Sequence, residues 1–269
     1  MDRAGGAGPV DFTGRAVIVT GGTRGIGRVI AETFLAAGAD VLVCGRNEPE
    51  QLPAAGERRP VFTAADIRDP AQAKAVVDAA VEAFGRLDVL VNNAGGAPNA
   101  DAATVSPRFV ERVVALNLLA PFYLSQPANA VMQQQRDGGS IVNIGSVSAH
   151  QPAPLSAAYS AAKAGLVQLT RSLALEWAPK VRVNHITTGL IRTQSAAQHY
   201  GGDGGAAVAR VIPMGRMAVP ADVASACLFL ASPLASYVTG ADLAVHGGGE
   251  IPARYIAAQD AYPAAPPAE

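Results

Sequence analysis

Short apolar runs alternate with helix-like patterns along most of this chain. Such an alternation is typical of a parallel sheet built from strand–helix–strand units, because parallel strands need a long crossover connection. The predicted strands are 16–20, 41–44, 61–63, 89–92, 141–144, 181–186 and 243–245. The predicted helices are 25–37, 70–84, 107 to beyond 117, 157–177 and 220–230.

Two of these helices begin with a recognisable signal. Asp69-Pro70 and Ser106-Pro107 each place a side-chain oxygen at the N-cap and a proline at the first helical position. The oxygen can accept a hydrogen bond from a backbone N–H of the first turn, and proline needs no partner there. Both helix starts are therefore predicted with defined boundaries.

The helix that begins at Pro107 also carries a proline in its interior. Pro121 has no N–H group, so the carbonyl of Asn117 loses its helical partner four residues further along. A buried carbonyl without that partner needs water or a side chain. We therefore expect the helix to be distorted around Asn117.

The succession of elements predicts a single domain over residues 1–269, with a core at about 12–249, since no linker or change in composition interrupts it. Two stretches fall outside the pattern. The segment 190–219 contains a glycine-rich run at 201–205 and is predicted to be a lid. The proline-rich end, 250–269, is predicted to be a frayed C-terminal tail.

Composition narrows the class of protein. Apolar residues make up 49% of the chain and charged residues 16%, as in compact globular proteins. The net charge is −1 and basic residues are scattered, which argues against nucleic acid and acidic membranes as partners. No apolar run approaches the roughly 18 residues of a membrane helix, and no secretion signal is recognisable. We expect a cytoplasmic protein with free thiols at Cys44 and Cys227.

A glycine-rich turn separates the first strand from the first helix. Gly21, Gly25 and Gly27 follow the spacing Gly-x-x-x-Gly-x-Gly. Glycines let the backbone approach a pyrophosphate, and the N-terminus of the next helix attracts its negative charge. Glycine is common in this chain, but the flanking strand and helix make a chance cluster the weaker explanation. The turn therefore predicts a dinucleotide site.

The choice of cofactor is predicted from the end of the second strand, about twenty residues further on. An Asp or Glu at that point would bind the ribose 2′-hydroxyl, and this chain has Cys44-Gly45-Arg46-Asn47 instead. Arg24, in the glycine turn, adds a second guanidinium that suits a 2′-phosphate. We predict NADP(H), with NAD(H) as the alternative if both arginines are ordinary surface residues.

Tyr159 and Lys163 are four residues apart in a predicted helix, and Ser146 lies thirteen residues upstream of the tyrosine. Side chains at positions i and i+4 share a helix face, so the ammonium group can lie close to the phenol. A free tyrosine has a pKa of about 10, and a neighbouring positive charge lowers that pKa toward neutrality. The pair suits proton transfer at an alcohol or carbonyl oxygen.

Together these motifs resemble the short-chain dehydrogenase/reductase family over about residues 12–249, in particular its NADP(H)-preferring, 3-oxoacyl-ACP-reductase-like members. The resemblance is carried, in the family's order and spacing, by Thr20, Gly21, Gly25, Gly27, Asn92-Asn93-Ala94-Gly95, Asn117, Ser146, Tyr159 and Lys163. It implies an α/β fold: a single doubly wound Rossmann domain with a seven-stranded parallel sheet in the order 3-2-1-4-5-6-7.

The resemblance also implies catalytic roles for four residues. Tyr159 would be the general acid in ketone reduction and the general base in alcohol oxidation. Ser146 would hydrogen-bond the substrate oxygen. Lys163 would lower the pKa of Tyr159 and bind the nicotinamide ribose. The carbonyl of Asn117 would hold a water molecule that relays protons to the lysine.

Further positions are assigned to the cofactor on the same basis. Asp66 would bind the adenine amino group, Asn93 would lie beside the adenosine ribose, and Thr193 would bind the carboxamide. The full set of cofactor-binding residues is Gly21, Thr23, Arg24, Gly25, Ile26, Gly27, Arg46, Asp66, Ile67, Asn93, Ala94, Gly95, Tyr159, Lys163, Gly189, Ile191 and Thr193. No metal site is predicted, because no cluster of His, Cys and Asp has metal-ligand spacing.

Two positions depart from the family pattern, and three histidines are weighed separately. Thr188 replaces the proline that often precedes Gly189 in the family, which predicts a looser turn after the sixth strand. His246 stands where an Asp is usual. His185 is expected to be structural. His150 and His199 could contact substrate, although exposed loop histidines are the commoner outcome.

The predicted reaction is reversible NADP(H)-linked hydride transfer between a ketone and a secondary alcohol, with a 3-oxoacyl thioester among the candidate substrates. One alternative is an NAD-dependent secondary alcohol dehydrogenase. Another is a nucleotide-sensing protein without turnover, against which the intact Ser146, Tyr159 and Lys163 argue. A homotetramer or homodimer is expected, because the family usually pairs the 157–177 helix and the Asn117 helix across two-fold axes.

Overall fold

The computed structural model describes residues 10–193, 205–252 and 255. The strands in this part of the chain are β1 (Ala16–Thr20), β2 (Asp40–Gly45), β3 (Val61–Ala64), β4 (Val89–Asn92), β5 (Gly139–Ile144), β6 (Val181–Thr188) and β7 (Asp242–Val245). Within the described residues these seven strands form one parallel sheet in the order β3-β2-β1-β4-β5-β6-β7. The predicted α/β class and strand order are confirmed.

Helices connect the strands and cover both faces of the sheet. They are α1 (Gly25–Ala36), α2 (Pro70–Phe84), α3 (Pro107–Val114), α4 (Ala120–Gln134), α5 (Ala157–Trp177), the short α6 (Ala206–Ala209) and α7 (Pro220–Ala231). Two 3₁₀ turns, Val147–Ala149 and Pro233–Ala235, follow β5 and α7. In the described part of the chain, no helix is long and apolar enough to cross a membrane.

The core lies on both sides of the sheet. Val17 and Val19 of β1 pack with α1 and α7, whereas Ile18 packs with α2 and α4 on the opposite side. This division follows from the two-residue period of a strand, which directs successive side chains to opposite faces. Strands buried on both faces are apolar throughout, which is why they appear as continuous runs in the sequence.

The two predicted helix starts are present. Asp69 accepts hydrogen bonds from the N–H groups of Ala71 and Gln72, at 2.8 and 3.1 Å. Ser106 accepts one from the N–H of Phe109, at 3.3 Å. Each side chain therefore satisfies backbone donors that have no partner within the helix.

The predicted long helix beyond Pro107 is divided into α3 and α4. Between them, Ala115–Leu119 forms a π turn, and the fully buried Asn117 lies in its middle. The prediction of a distortion at Asn117 is confirmed, and its form is a widened turn. Short π segments within α-helices are rare and are frequent at functional sites. Further along, α4 remains helical through Pro127.

The predicted lid, 190–219, is described in part, because residues 194–204, including His199, lie outside the described residues. Its two ends are joined by backbone hydrogen bonds. The N–H of Arg192 donates to the carbonyl of Ala218 at 2.8 Å, and the N–H of Ala218 donates to that of Leu190 at 3.1 Å. Of the predicted tail, 250–252 and 255 are described.

Candidate active site

The glycine turn after β1 has the backbone conformation that its composition suggests. Gly21 and Gly25 have φ angles of 62° and 55°, in the left-handed region that favours glycine. A Cβ atom on Gly27 would collide with the carbonyl of Gly21 and the side-chain amide of Asn93. Glycine at position 27 therefore lets the first turn of α1 pack closely against Gly21 and Asn93.

The N-terminus of α1 fits a pyrophosphate. Arg24 is the N-cap residue, and no side chain that the structure describes caps this helix end. The first N–H groups of α1 are thus left for an external acceptor, and the helix dipole favours an anion there. Thr23 and Ile26, also assigned to the cofactor, lie in the same turn and are partly buried.

Thr20 connects the glycine turn to the loop after β4. Its buried hydroxyl accepts hydrogen bonds from the N–H groups of Asn93 and Ala94, both at 2.9 Å. The side-chain amide of Asn93 donates to the carbonyl of Thr20 at 2.8 Å. Thr20 is a positioning residue to which the sequence analysis gave no role, although it begins the glycine motif. Its contacts bring Asn93 and Ala94 to the edge of the dinucleotide site.

Arg24 and Arg46 are both exposed where an adenosine phosphate is predicted. Neither forms an ion pair with any residue in the described part of the chain. Both guanidinium groups are therefore available to a phosphate without breaking an existing pair.

Asp66 has a partner that the sequence analysis did not anticipate. The Nε of Arg68 donates to one carboxylate oxygen at 2.8 Å, and Arg68 also pairs with the other oxygen. These hydrogen bonds lower the pKa of Asp66, although burial alone would raise it. The positive charge of Arg46 also lowers this pKa. Asp66 is followed by Ile67, which is also assigned to the cofactor and is buried.

Ser146 lies just past the carboxyl end of β5, where parallel α/β folds place their ligand sites. It is the N-cap of the Val147–Ala149 turn, and its Oγ accepts the N–H of Ser148 at 3.2 Å. This bond uses a lone pair of the hydroxyl oxygen, so the hydroxyl hydrogen stays available to a substrate oxygen. The side chain is partly exposed, as such a contact requires.

The sequence analysis predicted that Thr188 would loosen the turn after β6, whereas in the structure its side chain forms a hydrogen bond that holds this turn. The Thr188 hydroxyl donates to the carbonyl of Gly145 at 2.8 Å, and the N–H of Gly145 donates to the carbonyl of Ile186 at 2.7 Å. A proline at position 188 has no side-chain donor and could not form the first bond. Thr188 therefore connects its turn to the residue that precedes Ser146.

Lys163 and Tyr159 face each other on α5. The Lys163 Nζ lies 5.7 Å from the centroid of the Tyr159 ring and donates to the carbonyl of Ile144 at 2.7 Å. Burial lowers the pKa of Lys163 to about 8, so the ammonium form still predominates at neutral pH. A positive charge is thus present beside the phenol ring of Tyr159.

Glycine at position 95 leaves room for the ammonium group. A Cβ atom there would lie 3.3 Å from the Nζ of Lys163 and 2.8 Å from the Oδ1 of Asn117. The loop after β4 thus passes directly over both side chains. A larger residue at this position would displace one of them.

The side chain of Asn117 has a structural role in addition to that proposed for its carbonyl. Its Oδ1 accepts the N–H of Gly96 at 2.8 Å, and its Nδ2 donates to the carbonyls of Gly96 and Val113 at 3.0 and 2.9 Å. One amide group therefore joins the π turn to the loop after β4. The loop composition alone does not indicate this contact.

A buried polar network lies beneath the site. The Nδ2 of Asn92 donates to Asn143 at 2.8 Å and to Ser125 at 3.1 Å, and Asn143 donates to Thr170 at 2.9 Å. These bonds link β4, β5, α4 and α5, which together carry the site. Asparagines at the ends of two otherwise apolar strands were the only sequence signal for this network, and their partners could not be inferred.

The residues assigned to the nicotinamide end follow β6. The N–H of Gly189 donates to the carbonyl of Val245 at 3.0 Å, and Ile191 is buried and paired with Ala218. Thr193 is partly buried and lies immediately before the segment 194–204, which is outside the described residues. These positions therefore lie on the β6 side of the glycine turn, at the carboxyl end of the sheet.

A cavity of about 240 Å³ opens beside Tyr159. Its walls come from the loop after β4, from α3 and from the start of α5, and are mostly apolar: Ala97, Pro98, Ala100, Ala102, Val105, Phe109, Val110, Leu155, Ser156, Ala157, Ala158 and Tyr159. Leu155 has a φ angle of 62°, which is rare for residues other than glycine, and its carbonyl accepts the N–H of Ala100 at 2.9 Å.

His, Cys, Asp and Glu do not form a group of three or more that could hold a metal ion anywhere in the described residues. Both cysteines are buried and form no disulfide there. Burial raises the pKa of Cys44 to about 12, so its thiol stays protonated at neutral pH.

Comparison with known proteins shows which family this chain resembles. Residues 21–250 match a family model described as enoyl-(acyl carrier protein) reductase. A short-chain type dehydrogenase/reductase of Sinorhizobium fredii, itself uncharacterised, is 37% identical over 246 residues, which cover 87% of this chain and 97% of that protein. D-threitol dehydrogenase of Mycolicibacterium smegmatis is 36% identical over 249 residues, which cover 89% and 95%.

Solved structures of dehydrogenases are also similar to this protein. A 7α-hydroxysteroid dehydrogenase complexed with NADH and 7-oxo glycochenodeoxycholic acid superposes with a TM-score of 0.83 at 32% identity. The superposition covers 91% of this chain and 97% of that one. With the family match over residues 21–250 and the sheet order found here, the chain belongs to the short-chain dehydrogenase/reductase family and is an oxidoreductase that acts on alcohol and ketone substrates with NAD(P)(H).

Proposed function

We propose that this protein is an NADP(H)-dependent reductase that converts a ketone, such as a 3-oxoacyl thioester, to a secondary alcohol and runs the reverse oxidation. The observation that carries this proposal is the position of Tyr159. Its ring centroid lies 5.7 Å from the buried ammonium of Lys163, and the residue also lines an apolar cavity large enough for part of a ketone substrate. Ser146, at the end of β5, supplies a second hydroxyl donor.

The chain's own residues account for cofactor binding. The uncapped N-terminus of α1 would bind the pyrophosphate, and Arg24 and Arg46 would bind the 2′-phosphate. Asp66, Asn93 and Thr193 keep the cofactor roles that the resemblance implies. When bound, the nicotinamide supplies or accepts the hydride.

Proton transfer is assigned to Tyr159. In ketone reduction its hydroxyl gives a proton to the carbonyl oxygen, and in alcohol oxidation the phenolate takes one back. Lys163 stabilises the phenolate through its charge, and the carbonyl of Asn117 keeps its proposed place in proton delivery to Lys163. Ser146 donates to the same substrate oxygen, which stabilises the negative charge that develops there.

The arginines favour NADP(H) over NAD(H). Arg24 and Arg46 are exposed and form no ion pair among the described residues, and positions 44–47 at the end of β2 contain no carboxylate to bind a 2′-hydroxyl or repel a phosphate. The solved relative with NADH keeps the NAD-dependent alcohol dehydrogenase as the alternative. Comparison of the two cofactors, described in the Discussion, tests the proposal.

The cavity favours a substrate with an apolar group next to the carbonyl. Relatives act on substrates as different as D-threitol and a steroid, so family membership alone leaves the substrate open. An alkyl chain or a carbon ring would bury apolar surface against Leu155, Val110 and Phe109, whereas a polyol would lose hydration there without polar partners. This contrast supports 3-oxoacyl thioesters and alicyclic ketones over keto sugars.

A substrate panel followed by NADPH absorbance tests this proposal. Each additional methylene that enters the cavity contributes about 0.8 kcal/mol, so kcat/KM rises about fourfold per methylene along a short 3-oxoacyl series. Leu155→Asn is the matched variant, because asparagine tolerates positive φ angles but is polar. We expect this substitution to make kcat/KM depend less on the length of the acyl chain and to leave the backbone unchanged. A kcat/KM that is equal or higher for keto sugars contradicts the proposed substrate class.

We also propose a homotetramer or homodimer assembled through α5 and the helix of Asn117. Leu175 on α5 is 85% exposed and Leu119 on the π turn is 38% exposed, which suits a partner surface. Light scattering at micromolar concentration is expected to give at least the dimer mass, and Leu175→Gln to shift it toward the monomer. A wild-type monomer mass would overturn this expectation. The cytoplasmic location stays a prediction from the sequence.

A further inference from the structure

Four side chains outside the proposed catalytic set form a polar cluster at the edge of the sheet. We call it the Asp242 cluster, and it consists of Asp242, His150, His185 and Thr187. One Asp242 oxygen lies 2.7 Å from the Nδ1 of His185 and accepts the Thr187 hydroxyl, also at 2.7 Å. The other lies 2.8 Å from the Nε2 of His150. Asp242 therefore has a partner on β6 and another on the loop after β5.

Asp242 is ionised at neutral pH. Burial alone would raise its pKa, but the hydrogen bonds from His185 and Thr187 outweigh burial and lower the pKa to about 2. The two histidine rings come from different segments of the chain, and each contacts one oxygen of this carboxylate. Asp242 therefore connects the two segments. A partly buried carboxylate between two imidazoles is a strong constraint on the position of each ring.

Both histidines are connected to the segment that carries Ser146. His185 is fully buried, and its ring fills the space over Gly145 so closely that a Cβ atom on this glycine would overlap it. His150 follows the 3₁₀ turn that Ser146 begins. Its N–H donates to the carbonyl of Val147 at 2.9 Å, within the turn. The Asp242 cluster thus contacts the Ser146 loop on both sides of the serine.

We propose that Asp242 and His150 are positioning residues for Ser146, and the proposal rests on the role assigned to Ser146 under the proposed function. The contact between His150 and Asp242 holds the end of the 3₁₀ turn toward β7, while the His185 ring supports the backbone at Gly145. Together these contacts fix the direction of the Ser146 hydroxyl. Positioning to within a fraction of an ångström is needed for a hydrogen bond that stabilises developing charge.

The surroundings of the buried His185 ring also support this role. The Nε2 of His185 has no hydrogen-bond partner among the described residues, although the ring is completely buried. A buried polar atom without a partner is unfavourable, and an apolar side chain would avoid the penalty. Retaining histidine therefore makes sense when its other nitrogen orients a functional group, here through Asp242.

A double-mutant cycle with Ser146 tests the proposal. His150→Ala is the variant of choice, because the His150 side chain is 45% exposed and its removal leaves no buried gap. In the wild-type background we expect kcat for the ketone to fall about tenfold, as for residues that are energetically coupled, while KM for NADPH stays unchanged. In the Ser146→Ala background the same change is expected to lower kcat less than twofold.

His150→Gln is the conservative control. Its side-chain amide places an N–H donor close to the position of the imidazole Nε2, so it is expected to restore most of the lost kcat. A cluster that serves stability alone would lower kcat equally in both Ser146 backgrounds, and that result overturns the proposal. A wild-type kcat in His150→Ala also overturns it.

The cycle separates this inference from the proposed function. If Ser146→Ala alone leaves turnover unchanged, the proposed role of Ser146 is wrong and the inference is wrong with it. If Ser146→Ala lowers turnover while the effect of His150→Ala is equal in both backgrounds, the role of Ser146 stands and the positioning role of the Asp242 cluster alone is overturned.

Discussion

Tyr159→Phe is expected to lower turnover by about 10²–10⁴-fold, the usual contribution of a general acid or base. The substitution removes the hydroxyl that transfers the proton and keeps the aromatic ring against Lys163 and the cavity. Binding of NADPH is expected to stay near the wild-type level, since the contacts proposed for the pyrophosphate and the 2′-phosphate lie at the glycine turn and the end of β2 and do not involve the Tyr159 hydroxyl. The loss should therefore appear in kcat.

Steady-state oxidation of NADPH with a ketone measures the loss, and a fluorescence titration with NADPH measures cofactor binding. Tyr123→Phe is a matched control, because it removes the same hydroxyl from a tyrosine on α4 that packs in the core. Its turnover is expected to be close to that of the wild type. Near-normal turnover in Tyr159→Phe would contradict the assignment of the general acid.

Replacing Arg24 and Arg46 together with alanine is expected to weaken NADPH binding about a hundredfold and to leave NADH binding almost unchanged. Each guanidinium would lose charge-assisted hydrogen bonds to the 2′-phosphate, worth about tenfold apiece at a partly solvated site. Arg68 is not part of this change, since it is paired with Asp66. The difference between the two cofactors isolates recognition of the phosphate, because a damaged fold would bind both more weakly.

Arg112→Ala with Arg136→Ala provides the control for charge. It removes two positive charges from exposed positions on α3 and after α4, away from the glycine turn. Isothermal titration of both cofactors against both double variants completes the comparison. If the wild-type protein binds NADH as tightly as NADPH, the two arginines are surface residues and the NAD-dependent alternative holds.

The sequence by itself determined most of the fold. Strand and helix positions are encoded by local periodicity, because each element buries one face or both against its neighbours. The caps at Asp69 and Ser106 are also local, since each side chain contacts N–H groups two or three residues away. Strand order came from the family resemblance, which adds the long-range pairing that periodicity does not contain.

Those features of the candidate site that are formed by residues close together in the sequence could also be predicted. The sequence placed the glycine turn between the first strand and the first helix, and the structure shows that two of its glycines have positive φ angles. Tyr159 and Lys163 share a face because α5 is a helix. The proline at 121 predicted a disturbed helix, but whether it would be a kink or a π turn depends on packing between α4 and its neighbours.

Tertiary structure alone decided the contacts between segments that are distant in sequence. Asp242 meets His185 because β7 lies beside β6, and it meets the loop of His150 because β6 in turn lies beside β5. Asn92 meets Asn143 because β4 lies beside β5. No local pattern marks such partners, since a polar residue in a strand has the same neighbours in sequence whichever strand lies next to it. The proposed positioning of Ser146 depends on such long-range contacts, whereas its place after a buried strand could be predicted from local sequence.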